Sequence, residues 1–107
     1  MLDRPGFDVS FSGLKTAVVQ ALAPSGAAPY PPELAADVAA SFQAAVVDTL
    51  AEKTRRALEH VDARALTLGG GVACNRALRE RLAGAVRGAR RPVSRAVADG
   101  CAPITRR

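Results

Sequence analysis

The sequence predicts an α/β domain whose elements follow the order β-α-α-β-α. Two segments have the apolar pattern of strands, and three have apolar residues at helical spacing. A chain of 107 residues forms one domain at most. Hydrophobic residues make up 49% of it and aromatic residues 4%, so we expect a core of Ala, Val and Leu rather than global disorder.

The first strand and the first helix are predicted on either side of Gly13. The segment Phe7-Asp8-Val9-Ser10-Phe11-Ser12 alternates between apolar and polar residues, which predicts a half-buried strand near 7–12. Helical spacing follows over 14–22. Lys15 falls in the first helical turn, where the helix dipole disfavours a cation, so we consider it a possible anion contact.

A long amphipathic helix is predicted over 33–59, after the proline-rich loop 24–32. Its inward positions step by four residues along the sequence: Leu34, Val38, Phe42, Val46 and Leu50. His60 follows this helix and is the only histidine of the chain. Because it has no partner for a metal site or a triad, we interpret it as structural.

Three consecutive glycines, Gly69 to Gly71, separate two predicted elements. A buried strand is expected near 64–68, before them, and a third helix over 75–87, after them. The remaining inward positions are expected at Phe11, Leu66, Leu68, Leu78 and Leu82. Glycines between a strand and a helix let a ligand approach the backbone, and the helix N-terminus offers N–H groups. Asn75 could cap that helix or contact the ligand. Taken alone, the glycine stretch is more typical of a simple turn than of a binding loop.

Composition excludes several classes of protein. No apolar run approaches the ~20 residues of a membrane span, so we expect no membrane contact. Two distant cysteines, Cys74 and Cys101, predict neither a disulfide framework nor a zinc site, and fit a cytoplasmic protein. The net charge is +5, and segment 88–107 carries five arginines against one aspartate without aromatic residues for base stacking. This favours an irregular basic tail over a nucleic-acid-binding arm.

Three blocks of the sequence resemble the TsaD family (also Gcp or YgjD, with Kae relatives), the transferases that place a threonylcarbamoyl group on an adenosine of tRNA. The blocks are MLDRPGFDVSFSGLKTAVVQAL, ELAADVAASFQAAVVDTLAEKTRRALE and LTLGGGVACNRALRERL. They stand in the family's order and cover 1–87. The first contains V-S-F-S-G-L-K-T, where the family has F-S-F-S-G-L-K-T.

The resemblance implies part of one lobe of an actin-like, sugar-kinase-like ATPase fold. In this family a Gly-Gly turn and an Asn contact the threonylcarbamoyl-adenylate intermediate, and by position these would be Gly70, Gly71 and Asn75. The resemblance also implies tRNA and partner subunits of the threonylcarbamoyl-transfer complex as partners. The intact family uses one divalent iron or zinc-type metal. Its H-x-x-x-H pair and the Asp of its C-T-D-N motif have no counterpart here, so we expect no metal or other cofactor in this chain.

Three functional hypotheses remain open. The chain could be an inactive fragment of a threonylcarbamoyl transferase, since its first methionine resembles an internal one. It could be a small module that binds a nucleotide or a partner protein, or a product that barely folds. The expected division is a partial C-terminal lobe over 1–87 and a divergent, frameshifted tail over 88–107. Back-translation from the third base of the Gly100 codon permits L-C-T-D-N-A-A, the motif that the family has at this distance.

Overall fold

The computed structural model describes residues 5–26, 28–61, 63, 65–88 and 96–98, the last three by backbone only. The elements are helices α1 (Ser12–Leu22), α2 (Pro32–His60) and α3 (Arg76–Arg87), and strands β1 (Leu66–Leu68) and β2 (Ala96–Ala98). Two 3₁₀ turns, Ala23–Ser25 and Gly71–Cys74, follow α1 and β1. The three helices and β1 thus lie where the sequence predicts them, within two residues at each end.

The prediction of a strand near 7–12 is wrong. Residues 8–11 have no regular structure, and α1 already begins at Ser12. Phe11 has φ −93° and ψ −2°, which is helical rather than extended backbone. Alternation alone does not make a strand, because a strand also needs a hydrogen-bonded neighbour. The only strand pair of the described residues joins β1 and β2.

The segment expected to be an irregular tail contributes a short strand. β2 pairs with β1 in parallel, with Leu66 opposite Ala96 and Leu68 opposite Ala98. The predicted order β-α-α-β-α is therefore replaced by α1-α2-β1-α3-β2, in which α3 forms the crossover of a small parallel β-α-β unit. The other predictions for segment 88–107, including the frameshift hypothesis for Gly100 to Arg107, concern residues that lie largely outside the described part of the chain.

The core lies between the C-terminal half of α2 and α3. Val47, Ala51, Leu78 and Leu82 form it, and Leu50, Leu66, Leu68 and Ala77 pack against it. The inward positions of α3 are thus confirmed. Along α2 the buried apolar residues are Val47 and Ala51, and Thr49 and Lys53 are buried as well. The predicted Val46 and Leu50 are only half-buried, as are the other predicted inward residues, Phe11, Leu34, Val38, Phe42, Leu66 and Leu68.

The N-terminal half of α2 faces α1 across apolar hollows. One hollow, of about 410 Å³, is lined by Val18, Leu22, Tyr30, Val38, Phe42 and three other residues, with Lys15 among them. The contact between α1 and α2 is much less extensive than that between α2 and α3, and the apolar surface that lines the hollow remains open.

The α2 helix also corrects one expectation from composition. It holds an 18-residue window of mean hydropathy 1.3 and is the one helix of the described residues long and apolar enough to cross a membrane. Only 17% of this window is buried. The core helix of a soluble protein meets the same criterion, so length and composition do not by themselves indicate a membrane role.

Candidate functional site

The glycine turn lies at the carboxyl end of β1 and leads into α3. Gly70 has φ +88°, in the left-handed region that favours glycine. The 3₁₀ turn that follows is closed by hydrogen bonds from Ala73 N to Gly70 O (3.1 Å) and from Asn75 N to Val72 O (3.0 Å). Strand β1, the turn and α3 thus place Gly70, Gly71 and Asn75 within one short, hydrogen-bonded segment.

The outer surface of this turn is open. A Cβ atom built on Gly69, Gly70 or Gly71 would meet no heavy atom within 4 Å, and all three residues are exposed. Among the described residues, no hydrogen bond uses the N–H groups of Gly70 or Gly71. The turn therefore offers two backbone donors to a polar ligand, with no side chain in the way.

Asn75 is the N-cap of α3. Its Oδ1 atom accepts a hydrogen bond from Leu78 N at 3.0 Å, which satisfies one of the free N–H groups of the first helical turn. Its Nδ2 atom donates to Oε1 of Gln43 on α2 at 3.1 Å. The capping role left open by the sequence is therefore confirmed. A carboxamide nitrogen carries two hydrogens, and the second has no partner among the described residues.

No sequence pattern indicates Gln43 as a site residue. Asn75 and Gln43 are 32 positions apart in the chain, and nothing in the local pattern of α2 distinguishes Gln43 from its other exposed polar residues. Gln43 also lines a hollow of about 500 Å³ between α2 and α3, together with Val47, Asp48 and Arg81 among others. Covariation between sequences is the signal that could have revealed this pair.

Lys15 lies apart from the glycine turn. It is exposed on α1 and lines the hollow between α1 and α2. No hydrogen bond or ion pair among the described residues connects it to Gly70, Gly71 or Asn75. Its role as an anion contact stays a prediction.

The charged groups near the turn form pairs on the helix surfaces. Arg76, the first residue of α3, donates from Nε to Glu80 at 2.8 Å, and this hydrogen bond raises the pKa of Arg76. Arg81 approaches Asp48 on α2 at 3.4 Å. On α2, hydrogen bonds from Arg55 and Arg56 lower the pKa of Glu52 to about 2. All these pairs are solvent-accessible, so each contributes little to stability.

The described residues do not fit the metal that the family implies, because they contain no cluster of three His, Cys, Asp or Glu side chains. We therefore derive no step through a metal. The His60 ring packs against Phe7, with ring centroids 5.4 Å apart, in agreement with a structural role. Cys74, in the 3₁₀ turn, is disulfide-bonded, whereas the sequence predicts no disulfide framework.

Known proteins resemble most of this chain. The sequence model of TsaD, described as tRNA N6-adenosine threonylcarbamoyltransferase, matches residues 2–96. A protein of that name from Roseobacter denitrificans is 50% identical over 90 residues, which cover 77% of this chain and 24% of the relative. One from Magnetococcus marinus is 51% identical over 87 residues, which cover 78% of this chain and 23% of the relative. No solved structure matches significantly.

The chain thus spans about a quarter of the length of these curated relatives. The match nevertheless includes α1, α2, the glycine turn and α3. A family match over more than half of a chain, with half of the residues identical to those of the relatives, establishes common descent. This chain therefore belongs to the TsaD family of tRNA N6-adenosine threonylcarbamoyltransferases, whose fold is of the actin-like, sugar-kinase-like type.

Proposed function

We propose that this chain is part of a tRNA threonylcarbamoyl transferase and supplies a surface that binds the adenosine end of threonylcarbamoyl-adenylate. The observation that carries the proposal is the open glycine turn within the region matched by the family. The intact enzyme would transfer the threonylcarbamoyl group from this intermediate to an adenosine of tRNA, in the cytoplasm. Partner subunits of the transfer complex belong to the same proposal.

Three features support the turn as the binding surface. The N–H groups of Gly70 and Gly71 face no acceptor among the described residues, so a ligand oxygen or ring nitrogen can accept from them. The absence of side chains lets the ligand reach the backbone. The carboxamide of Asn75 is fixed by two hydrogen bonds and retains one N–H for the ligand.

We further propose that the chain alone has no transferase activity. The turn supplies one wall of a site, and the described residues include no cluster of three His, Cys, Asp or Glu side chains that could hold a metal to polarise the carbamoyl group. The test measures incorporation of labelled threonine into tRNA in the presence of a system that generates threonylcarbamoyl-adenylate. The full-length Roseobacter denitrificans relative is the positive control. The proposal expects background incorporation with this chain. Incorporation well above background would contradict it.

Binding is tested separately from activity, by titrating the ¹⁵N-labelled chain with AMP and following its amide resonances. With only part of the site present, we expect a millimolar dissociation constant, ~−4 kcal/mol. Gly71→Val should abolish the shifts, because it places a β-branched side chain at the surface of the turn. Gly71 is a better choice than Gly70, since the positive φ of Gly70 would strain any other residue.

The matched control is Gly84→Ala on α3. Gly84 is exposed, and a Cβ there also meets no heavy atom within 4 Å. This variant should bind AMP like the wild type. Equal binding by Gly71→Val and the wild type would show that the turn is not the site.

A second candidate function is a non-catalytic module that binds a partner protein. The observation in its favour is the apolar hollow between α1 and α2, lined by Val18, Val38 and Phe42. Under this hypothesis AMP shifts no resonance of the turn. The two functions are therefore separated by the same titration.

A further inference from the structure

We infer that Gln43 is a positioning residue that fixes the orientation of the Asn75 carboxamide for the adenosine ligand. This inference rests on the proposed function of the glycine turn. It assigns a role to α2, which the sequence motifs around the turn do not involve. Gln43 is not a catalytic residue in this account, because it acts on the ligand through Asn75.

The oxygen and the nitrogen of the Asn75 carboxamide have different hydrogen-bond partners. Oδ1 accepts from Leu78 N at 3.0 Å, and Nδ2 donates to Gln43 Oε1 at 3.1 Å. The first bond restrains the oxygen, and the second restrains the nitrogen of the same planar group. Together they define the carboxamide plane, and thus the direction in which the remaining N–H of Nδ2 can donate.

The cap bond alone restrains the group less well. A side chain held by a single hydrogen bond can rotate about that bond and exchange its remaining donor with water. Gln43 comes from a different element, and α2 and α3 are the most closely packed pair of helices in the described part of the chain. The core residues Val47 and Ala51 follow one and two helical turns after Gln43 and contact α3. The helix that carries Gln43 is thereby held rigidly against the helix that Asn75 caps.

The contact is solvent-accessible, so its effect is expected on ligand binding rather than on folding. Losing the orientation of one donor should weaken binding about tenfold, the usual effect of one lost hydrogen bond. Helix α3 should remain capped, because Oδ1 of Asn75 keeps its bond to Leu78 N.

The experiment compares three variants of the full chain. Gln43→Met has nearly the same length and replaces the amide oxygen by a thioether, which is only a weak acceptor, so it removes the hydrogen bond from Asn75 Nδ2 to Oε1. Gln43→Glu keeps an oxygen at the position of Oε1 and should restore the contact. Gln20→Met is the matched control, since it removes an exposed glutamine of α1. The probe is adenosine, whose neutral charge avoids phosphate repulsion by the carboxylate of Gln43→Glu.

The first measurement is the side-chain NH₂ resonance of Asn75 without ligand. The inference expects this resonance to move in Gln43→Met and to stay near its wild-type position in Gln43→Glu and Gln20→Met, with the Leu78 amide unchanged throughout. An unchanged Asn75 side-chain resonance in Gln43→Met would overturn the inference. This measurement does not depend on whether adenosine binds.

The second measurement is the dissociation constant of adenosine from the same spectra. Binding about tenfold weaker in Gln43→Met, with Gln43→Glu close to wild type, supports the inference. Equal affinity of wild type and Gln43→Met overturns it. If wild type itself shows no binding while the Asn75 resonance responds to Gln43→Met, the proposed function fails and the orientation by Gln43 stands.

Discussion

The ammonium group of Lys53 donates a hydrogen bond of 2.7 Å to the carbonyl oxygen of Gly6, and Lys53 is only 4% exposed. The bond joins the C-terminal half of α2 to the segment that leads into α1, 47 residues earlier in the chain. The nearby ring contact between Phe7 and His60 joins the same two regions. Two contacts thus hold residues 6 and 7 against the long helix.

Replacing the buried lysine should destabilise the chain. Lys53→Met keeps most of the apolar side chain but removes the hydrogen bond to the Gly6 carbonyl. Because Gly6 is exposed and water can replace the donor, we expect a cost of about 1 kcal/mol. Urea unfolding followed by circular dichroism measures the effect. Lys15→Met, at an exposed lysine of α1, should change the free energy of unfolding by less than about 0.5 kcal/mol. Equal changes in the free energy of unfolding for both substitutions would show that the hydrogen bond to Gly6 does not stabilise the chain.

The two roles of Asn75 can be separated by substitution. Asn75→Ala removes the cap and should cost about 1 kcal/mol of stability in addition to ligand binding. Asn75→Asp keeps an Oδ1 acceptor for Leu78 N but has no N–H, so it should retain stability and still lose adenosine binding. Thermal unfolding and adenosine titration measure the two effects. Retained binding in Asn75→Asp would exclude the side-chain N–H as a ligand contact.

Stability should fall in acid partly through Glu52. Hydrogen bonds from Arg55, and then from Arg56, lower its pKa from 4.5 to about 2 in the folded chain. Because the folded pKa is depressed, the contribution is fully present above pH 4.5 and is lost as the pH falls towards 2. Glu52→Gln should therefore lose less stability than wild type over this interval.

A second observable for this prediction is its dependence on salt. Raising the salt concentration should also reduce the difference between Glu52→Gln and wild type, because exposed ion pairs are screened. Parallel profiles for wild type and Glu52→Gln would contradict the assignment.

The chain should self-associate through its open apolar surface. The hollow between α1 and α2 leaves Val18, Val38 and Phe42 only half-buried, and exposed apolar patches of this kind promote association. Val38→Lys should reduce the association seen by sedimentation velocity, whereas Gln20→Lys, at an exposed position of α1, should not. A sharp, concentration-independent unfolding transition of a monomer would contradict this prediction.

The frameshift in segment 88–107 is tested by the coding DNA. If the hypothesis is correct, the alternative frame encodes Thr-Asp-Asn opposite Pro103 to Thr105. Any other three encoded residues at this place would refute the hypothesis. Deleting residues 88–107 should leave the three helices in place, but it also removes β2, so β1 would lose its only strand neighbour among the described residues.

Helix positions were predictable because each helix carries its own periodicity and end residues. The apolar steps of α2 and the cap residue Asn75 are visible in the sequence without knowledge of any neighbour. The choice of buried face was less accurate. Val46 and Val47 are adjacent and equally apolar, and only the position of α3 determines that Val47 is the buried one.

Contacts between distant segments could not be predicted from this single sequence. The strand expected near 7–12 needed a partner that the described residues do not place there. The pairing of β1 with β2 links positions 30 residues apart. The bonds from Lys53 to Gly6 and from Asn75 to Gln43 join residues that are 47 and 32 positions apart. Such pairs depend on how the helices pack, which periodicity does not specify.

Intermolecular nuclear Overhauser effects at saturating AMP test most directly whether the glycine turn binds the adenosine end of the ligand. If it does, effects are expected between the adenosine protons and the amide protons of Gly70 and Gly71, together with the side-chain NH₂ of Asn75. Effects confined to Val18, Tyr30 and Phe42, which line the hollow between α1 and α2, would contradict it.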